Sequence, residues 1–241
     1  AISPIQKEEL SSVHRICSAA KIKVIPLGFD LSKFQENLPE KRLQTRTERK
    51  LEADEVAVTI VGRLAPIKNH SLFLDVIETL AKKGVKARYF IVGDGQEKAS
   101  IQQRANALQE TYGIRIELTS WIKDIATFNA GMDILCLSSD NEGTPVSLIE
   151  AQASGIPVIS TDVGGVRDIV SEGETGFIVP KKEVEPFAEK LQLLIENKEI
   201  RQKMSQNGWN FVRDTFHYTT LVKNMEKYYA ELIEKTKKHA K

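Results

Sequence analysis

Short apolar runs alternate with amphipathic stretches along most of the chain. Six runs rich in β-branched residues are typical of buried strands and lie at 56–61, 87–92, 114–118, 133–137, 157–160 and 176–179. The segments between them place apolar residues at helical spacing, and three more amphipathic segments predict helices at about 183–197, 198–213 and 217–236. Buried strands that alternate with helices predict an α/β fold, in which helices cover both faces of a parallel sheet.

This alternation predicts a doubly wound, Rossmann-like parallel sheet of about six strands over residues 56–214, since the crossovers are right-handed. Residues 1–22 predict the end of a strand and then a helix, capped by Ser3 with Pro4 at its first position, that runs to about Ala20. Residues 21–30 predict a short strand and turn, and residues 31–54 predict a polar connecting segment with some helical content. Residues 215–241 predict a C-terminal helix.

Composition narrows the classes of partner and compartment. The chain of 241 residues carries 34 Lys and Arg against 33 Asp and Glu, and this net charge of +1 gives no reason to expect nucleic acid as a partner. Two cysteines, Cys17 and Cys136, without a CxxC motif fit a reducing, cytoplasmic compartment. The lysine-rich end EKTKKHAK is typical of a solvated helix end. Its alternative reading is weak peripheral attraction to anionic lipid at the inner face of the membrane.

The loops that leave the strands carry the candidate chemistry, because ligands of such sheets lie beyond the carboxyl ends of the strands. After the first strand, Gly62 would let a ligand approach the backbone, and Arg63 and Lys68 offer cations to phosphate oxygens. Taken alone, these cations could equally be solvated loop residues. After the second strand, the turn from Gly93 to Gly95 either presents N–H groups to an anion or only turns the chain.

The stretch NEGTPVSLIEAQASG (141–155) combines a helix start with two carboxylates. Thr144 is suited to the N-cap and Pro145 to the first position of the helix, whose N-terminus favours an anion. A carboxylate at Glu142 would repel phosphate, so Glu142 is expected to accept hydrogen bonds from hydroxyl groups beyond it. Glu150 lies among apolar residues, where ribose hydroxyls would supply donors, although it could instead face solvent or a nearby cation.

The motifs together resemble those of the retaining GT-B glycosyltransferases of the group called family 4 or group 1, specifically their C-terminal, donor-binding domain. The likeness covers about residues 23–212, and the spacing of Glu142 and Glu150 corresponds to the E-x7-E pattern of that family. The residues that carry it are Gly62-Arg63-Leu64 with Lys68, Gly93-Asp94-Gly95, Glu142-Gly143-Thr144-Pro145 with Glu150-Ala151, Gly155-Ile156-Pro157-Val158, Gly164-Gly165 and the stretch GETGFIVP.

The resemblance implies roles for the matching positions only. Arg63 and Lys68 bind the diphosphate of a nucleotide sugar and neutralise the leaving group, Glu142 faces the donor sugar, and these three are the candidate catalytic residues. Glu150 holds the ribose hydroxyls. The candidate donor-binding residues are Gly62, Gly93, Gly95, Trp121, Ile122, Gly143, Thr144, Pro145, Val146, Ser147, Leu148 and Glu150, and the match to the base-binding segment at Trp121 and Ile122 is less exact.

The chain departs from the family pattern at two positions, with Gln152 where many relatives have Met and Asn69 where many have Gly, and neither change removes a needed charge. No DxD motif and no cluster of His or Cys occurs, so the expected chemistry is independent of metal and needs no cofactor besides the donor substrate. His70, close to the Arg63 and Lys68 loop, is expected at the surface of a helix N-terminus.

The resemblance also implies a longer enzyme. Residues 1–22 correspond to the tail end of an N-terminal acceptor domain, residues 23–55 to the interdomain linker and the segment leading out of it, and residues 215–241 to a helix that crosses back. The chain is therefore expected to be a piece of an enzyme about twice as long. That enzyme would transfer a sugar, most simply from a UDP-sugar, to a glycan or lipid-linked acceptor in polysaccharide or glycolipid biosynthesis, while this piece alone is inactive in transfer.

Three alternatives to a transferase remain. A sugar-nucleotide epimerase of GT-B fold would need acid and base groups that the sequence does not display. A Rossmann dehydrogenase is disfavoured because GRLAPIK, and not G-x-G-x-x-G, follows the first strand, and because Lys98 occupies the third glycine position of the second turn. A non-catalytic domain that binds a nucleotide sugar stays open.

Overall fold

The computed structural model describes residues 1–239, and a six-stranded parallel sheet forms its centre. The order of the strands across the sheet is β3-β2-β1-β4-β5-β6. The strands are β1 (Ala57–Val61), β2 (Arg88–Val92), β3 (Arg115–Thr119), β4 (Ile134–Leu137), β5 (Val158–Thr161) and β6 (Gly176–Val179). Each strand lies within one residue of its predicted position, and the predicted α/β, doubly wound architecture is confirmed.

Helices connect the strands and close the chain. Their bounds are α1 (Pro4–Glu8), α2 (Leu38–Glu48), α3 (His70–Lys82), α4 (Lys98–Tyr112), α5 (Ile125–Ala130), α6 (Val146–Ala153), α7 (Val184–Glu196), α8 (Lys198–Phe216) and α9 (Tyr218–His239). One π-helical turn (Glu9–Val13) and four 3-10 turns (Ala19–Lys21, Ser32–Phe34, Pro66–Lys68 and Gly164–Asp168) complete the helical structure of the described chain.

Two hydrophobic cores lie on the two faces of the sheet. Successive residues of one strand point to opposite faces, so Val58 and Ile60 pack with α3, α4 and α7, while Ala57 packs with α5, α6 and α8. All three residues are at most 2% exposed. Burial on both faces explains why the strands read as continuous apolar runs. It also holds the carboxyl ends of the strands on a rigid support.

The polar segment before β1 is more ordered than its composition suggested. Leu31 and Phe34 are buried, and α2 packs against α5. Arg42 and Arg46 of α2 each form an ion pair with Asp133, at 2.7 and 3.2 Å. The same carboxylate accepts a hydrogen bond from the Ala57 backbone N–H at 2.8 Å. Charged residues that looked like a solvated linker therefore tie α2 to the starts of β1 and β4.

The predicted helix at the N-terminus is shorter than expected. Ser3 caps α1 as predicted, since its hydroxyl accepts a hydrogen bond from the Gln6 backbone N–H at 3.1 Å. The helix does not reach Ala20, because the π-helical turn ends at Val13 and Arg15 takes a left-handed conformation with φ of 50°. The strand expected within residues 21–30 is also wrong, and the β contact found there is a single bridge between Phe29 and His217.

The last helix carries the lysine-rich end of the chain. Helix α9 runs as far as His239, and Ala240 and Lys241, which complete the lysine-rich stretch, lie outside the described residues. Of residues 1–239, none forms a helix with both the length and the apolar character that crossing a bilayer requires.

Candidate functional site

The loops at the carboxyl edge of the sheet meet around β1 and β4. These two strands are neighbours, and the chain winds away from them in opposite directions, towards β3 on one side and β6 on the other. A crevice outside the carboxyl ends of such a pair is the usual ligand site of a doubly wound sheet. The loops 62–69 and 138–145, which the sequence singled out for cations and carboxylates, both leave this pair of strands.

A cation and a carboxylate are in direct contact between these loops. Lys68 Nζ lies 2.6 Å from Glu142 Oε1, and the two side chains are 27% and 9% exposed. The Ser139 hydroxyl donates a second hydrogen bond to the same oxygen at 2.6 Å. The ammonium group has three N–H donors, so one contact with Glu142 leaves two donors for an anion. The sequence predicted both charged residues as site residues but not their contact.

The residue after Lys68 shapes the loop. Asn69 adopts a left-handed conformation with φ of 46°, and its side chain accepts a hydrogen bond from the Leu72 backbone N–H at 3.2 Å as the N-cap of α3. Asparagine tolerates this conformation better than most residues, which explains how a residue other than glycine fits this place in the loop. The buried Ser138 hydroxyl lies 3.0 and 2.9 Å from the carbonyl oxygens of Lys68 and Asn69 and holds the end of the loop.

Arg63 lies near the start of the same loop and differs from Lys68 in its surroundings. Its side chain is exposed, and no ion pair or hydrogen bond of its guanidinium occurs within residues 1–239. The backbone beside it is fixed, because the Leu64 N–H donates to the Asp94 carbonyl oxygen at 3.0 Å. The loop therefore holds a charged group on a rigid base.

Gly93 and Gly95 allow the loops after β1 and β2 to touch. A Cβ on Gly93 would lie 1.9 Å from the Gly62 carbonyl oxygen, and a Cβ on Gly95 would lie 2.3 Å from that of Leu64. This contact between loops accounts for both glycines without a ligand. Their part in binding a donor stays a prediction.

Gly164 and Gly165 support the loop that carries Glu142. A Cβ on Gly164 would lie 1.7 Å from the Glu142 carbonyl oxygen, and one on Gly165 would lie 2.1 Å from the Gly143 carbonyl oxygen. The Gly165 N–H points at both carbonyl oxygens, at 3.3 and 3.1 Å. The glycine pair after β5 thus supports the backbone of the candidate site.

The start of helix α6 differs from the prediction. Pro145, with φ of −71° and ψ of 95°, occupies the N-cap position, and no side chain caps the helix. The predicted Thr144 cap is therefore wrong, because the extended Pro145 moves the helix start to Val146 and places Thr144 before the cap. The backbone N–H groups of the first turn consequently lack a side-chain acceptor, which suits them to an anion.

Glu150 is a half-buried carboxylate in the middle of α6. Burial raises its pKa, and the positive charge of Lys33 acts in the opposite direction. No hydrogen bond to the Glu150 side chain is found in the described part of the chain. This environment matches the expected need of Glu150 for hydroxyl donors better than a fully solvated position would. Its contact with a ribose stays a prediction.

The candidate base-binding segment follows β3. Trp121 is 58% exposed, whereas Ile122 packs against the core beneath α5 and α6. Beside them, Lys98 Nζ lies 2.7 Å from Asp94 Oδ2 and 3.0 Å from the Ser120 hydroxyl. The lysine at the third glycine position is therefore held by the loop after β2.

His70 is the main residue near this site that sequence reasoning misplaced. It is 1% exposed instead of lying at the surface, and neither ring nitrogen has a partner within the described residues. Burial and, secondarily, the charge of Lys68 lower its pKa to about 4. The signal was its spacing, since His70 continues the buried helical face of Phe73, Leu74 and Ile77.

Two cavities lie away from the candidate site. One, of about 810 Å³, opens at the amino ends of the strands, and another, of about 710 Å³, lies beside the junction of α8 and α9. Neither is lined by residues of the loops 62–69 or 138–145. Converging side chains and backbone groups define the candidate site. No group of three or more His, Cys, Asp or Glu side chains within residues 1–239 is arranged to hold a metal ion.

Known proteins match most of the chain. The sequence model of the family "Glycosyl transferases group 1" matches residues 41–211. The capsular polysaccharide biosynthesis glycosyltransferase CapM of Staphylococcus aureus is 29% identical over 90% of this chain and 58% of its own length. An Escherichia coli protein named UDP-Gal:alpha-D-GlcNAc-diphosphoundecaprenol alpha-1,3-galactosyltransferase is 27% identical over 88% of this chain and 55% of its own length. The chain thus spans somewhat more than half the length of these relatives.

A solved structure shares the fold. The crystal structure of Anabaena Alr3699/HepE in complex with UDP and glucose aligns with a TM-score of 0.81 and 21% identity, over 93% of this chain and 61% of that protein. At this identity the likeness shows the architecture alone.

Proposed function

This chain belongs to the glycosyl transferases group 1 family, and from that premise we propose that it binds the nucleoside-diphosphate sugar donor of a retaining glycosyltransferase. The donor we propose is a UDP-sugar, and the acceptor a glycan or a lipid-linked sugar in polysaccharide or glycolipid biosynthesis. The observation that carries the proposal is the contact of Lys68 with Glu142, at 2.6 Å, beside the N-terminus of α6 that no side chain caps. This contact places a cation that can bind phosphate and a carboxylate that can accept hydrogen bonds from hydroxyls at one edge of the sheet.

The diphosphate is proposed to bind between the loops after β1 and β4. Departure of the leaving group builds negative charge on the nucleoside diphosphate. Lys68 and the first N–H groups of α6 are held in place before the reaction, and together with the exposed Arg63 they can stabilise this charge. These protein groups are the basis of a reaction that we propose to be independent of metal.

The remaining parts of the donor are assigned by position. Glu150 is proposed to accept hydrogen bonds from the ribose hydroxyls, because its half-buried carboxylate lacks donors within the described residues. Glu142 is proposed to accept hydrogen bonds from hydroxyls of the sugar. Trp121 and Ile122 are proposed to flank the base, and the backbone from Thr144 to Leu148 is proposed to bind the phosphate and sugar.

Two comparisons favour uridine as the nucleoside. The Escherichia coli relative is named for UDP-Gal as its donor, and the Anabaena structure holds UDP and glucose. The first of these names also includes a diphosphoundecaprenol acceptor, and the Staphylococcus aureus relative is named for capsular polysaccharide biosynthesis. We infer the same classes of donor and acceptor for this chain.

The acceptor is proposed to be held by parts of a longer protein. Positioning an acceptor in line with a donor can account for roughly 7–11 kcal/mol of barrier lowering. The 241-residue chain should therefore bind the donor without robust transfer. Within that longer protein, residues 215–241 are proposed to contact the acceptor domain.

A binding panel tests the function. Calorimetry of the chain with UDP, UDP-glucose, UDP-galactose, UDP-N-acetylglucosamine, GDP, ADP and NAD, each with and without EDTA, should show binding of UDP and a UDP-sugar that EDTA leaves unchanged. Preference for NAD would reject the function, and loss of binding in EDTA would reject the metal-free mechanism. Product analysis with the longer protein should show the donor's anomeric configuration retained, and transfer at a similar rate by the 241-residue chain would contradict the proposed place of the acceptor.

A further inference from the structure

Ser139 contacts Glu142, the carboxylate proposed to bind the donor sugar, but belongs to none of the motifs that the sequence analysis identified. Its side chain is fully buried, and its hydroxyl lies 2.6 Å from Glu142 Oε1. The backbone of Ser139 is fixed as well, since the Thr161 hydroxyl donates a hydrogen bond of 2.6 Å to its carbonyl oxygen. The serine hydroxyl is therefore a rigidly held hydrogen-bond donor to the Glu142 carboxylate.

The hydrogen bonds to Glu142 are divided unequally between its two oxygens. Ser139 and Lys68 both donate to Oε1. No hydrogen bond to Oε2 comes from residues 1–239, and Oε2 is not sealed from solvent. One oxygen is thus held by the protein, and the other is available to a ligand.

The preceding serine has a parallel place. The Ser138 hydroxyl lies within hydrogen-bond distance of the carbonyl oxygens of Lys68 and Asn69, shares its one proton between them and holds the loop that carries the cation. Neighbouring residues at the end of a strand point in opposite directions. Ser138 therefore reaches the loop that carries Lys68, and Ser139 reaches the Glu142 carboxylate. The end of β4 therefore fixes both members of the ion pair.

We propose that Ser139 is a positioning residue, which holds Oε1 of Glu142 so that Oε2 accepts a hydrogen bond from a hydroxyl of the donor sugar. Without the serine hydroxyl, the carboxylate can rotate and give both oxygens to the Lys68 ammonium. The carboxylate then turns away from the sugar, while the phosphate contacts of the site are kept. The inference rests on the proposed function, because it needs a sugar beside Glu142.

The test compares Ser139→Ala with Ser160→Ala. Ser160 is also fully buried, at the end of the neighbouring strand β5, and within residues 1–239 its hydroxyl bonds only to the Thr161 carbonyl oxygen, at 3.0 Å. Calorimetry with UDP and with the UDP-hexose that binds the unsubstituted chain best gives the ratio of the two affinities for each variant. Ser139→Ala should weaken the UDP-hexose about tenfold, which is within the range for losing a hydrogen bond to a charged group, and UDP less than about twofold. Ser160→Ala should leave the ratio unchanged.

A double variant separates positioning from folding. In a Glu142→Ala background, Ser139→Ala should change the ratio no further, because the carboxylate that it positions is gone. A further fall of the ratio in that background, or an unchanged ratio in the single variant, would overturn the inference while leaving UDP binding intact. Failure of the unsubstituted chain to bind any nucleotide sugar would instead overturn the proposed function, and the role of Ser139 with it. Thermal melts of all variants identify any that are unfolded. If Ser139→Ala is among them, Ser139→Cys, which keeps only a weak donor, should lower the ratio by less than tenfold, and an unchanged ratio would overturn the inference.

Discussion

Lys68 and Glu142 are 74 positions apart in the sequence, yet Lys68 Nζ lies 2.6 Å from Glu142 Oε1. The contact exists because β1 and β4, whose following loops carry the two residues, are neighbours in the sheet. It neutralises the pair while no ligand is bound. A diphosphate then meets a lysine that keeps one contact with protein and has two N–H donors left.

Lys68→Ala should weaken UDP far more than uridine. A charge-assisted hydrogen bond contributes roughly 1.5–3 kcal/mol, or about 10- to 100-fold in affinity, and uridine has no phosphate to lose it. Calorimetry with both ligands measures the difference. The control is Lys182→Ala, since the Lys182 side chain is 67% exposed and its Nζ comes no closer than 3.9 Å to the Asp140 carboxylate. Equal losses for UDP and uridine would show that Lys68 acts through folding.

Glu142→Ala and Glu150→Ala should affect different parts of the donor. The first variant should weaken a UDP-sugar while leaving uridine nearly unchanged, and the second should weaken uridine, UDP and the UDP-sugar alike. The reason is position, because Glu142 is assigned to the sugar and Glu150 to the ribose. Titrations with the three ligands check both variants. The assignment of the two carboxylates is wrong if Glu142→Ala weakens uridine as much as the UDP-sugar.

Glu150→Gln should raise the melting temperature at neutral pH. Burial raises the pKa of Glu150 in the folded chain, so its ionised form is disfavoured there. The resulting destabilisation develops as the pH rises through the pKa of the unfolded chain, about 4.3, and is complete above the folded pKa. The variant should therefore melt higher than the unsubstituted chain at pH 7 and equally at about pH 4, although it binds uridine more weakly. An equal melting temperature at pH 7 would argue against a buried, unpaired carboxylate.

Gly164→Ala should move the loop that carries Glu142. The new Cβ would lie 1.7 Å from the Glu142 carbonyl oxygen, in a backbone with φ of 49°. Gly173→Ala is the matched control, because Gly173 has φ of 76° and no atom within 4 Å of the place that a Cβ would take. Both variants carry the backbone cost of alanine in this conformation, about 1–2 kcal/mol. Chemical unfolding should show a larger loss for Gly164→Ala, and calorimetry should show weaker UDP-sugar binding for that variant alone.

His70→Gln should change how stability depends on pH. The folded pKa is lowered to about 4 from an ordinary value of 6.5, so the unfolded chain binds the proton first. This contribution to stability is present above pH 6.5 and is lost as the pH falls towards 4, by roughly 3 kcal/mol at 1.36 kcal/mol per pH unit. Urea unfolding across this range should show a smaller loss for His70→Gln. His14→Gln, at an exposed position, should keep the slope of the unsubstituted chain.

The predictions from sequence succeeded where a local pattern carries the information. An apolar, β-branched run predicts a strand buried on both faces, and all six strands appeared within one residue of their expected positions. The helix at Val146 was displaced, because the pattern of a Thr-Pro cap does not decide whether Pro145 takes a helical or an extended conformation. His70 is buried although a surface position was predicted, because the prediction used the polar character of histidine and not its place on the buried face of α3.

The sequence by itself determined the six strands of the sheet, the α/β class, the edge at which the candidate residues gather and the family likeness, since these follow from periodicity and from short motifs. The tertiary structure decided which residues touch. The pairing of Lys68 with Glu142 and the support of Glu142 by Gly164 each join loops that follow different strands, and the hold of Ser139 on that carboxylate is a contact within the loop after β4. Such contacts depend on the order of strands across the sheet and on atomic positions to within a few tenths of an ångström. Local patterns encode neither, because strand order is set by how the whole chain buries its two cores.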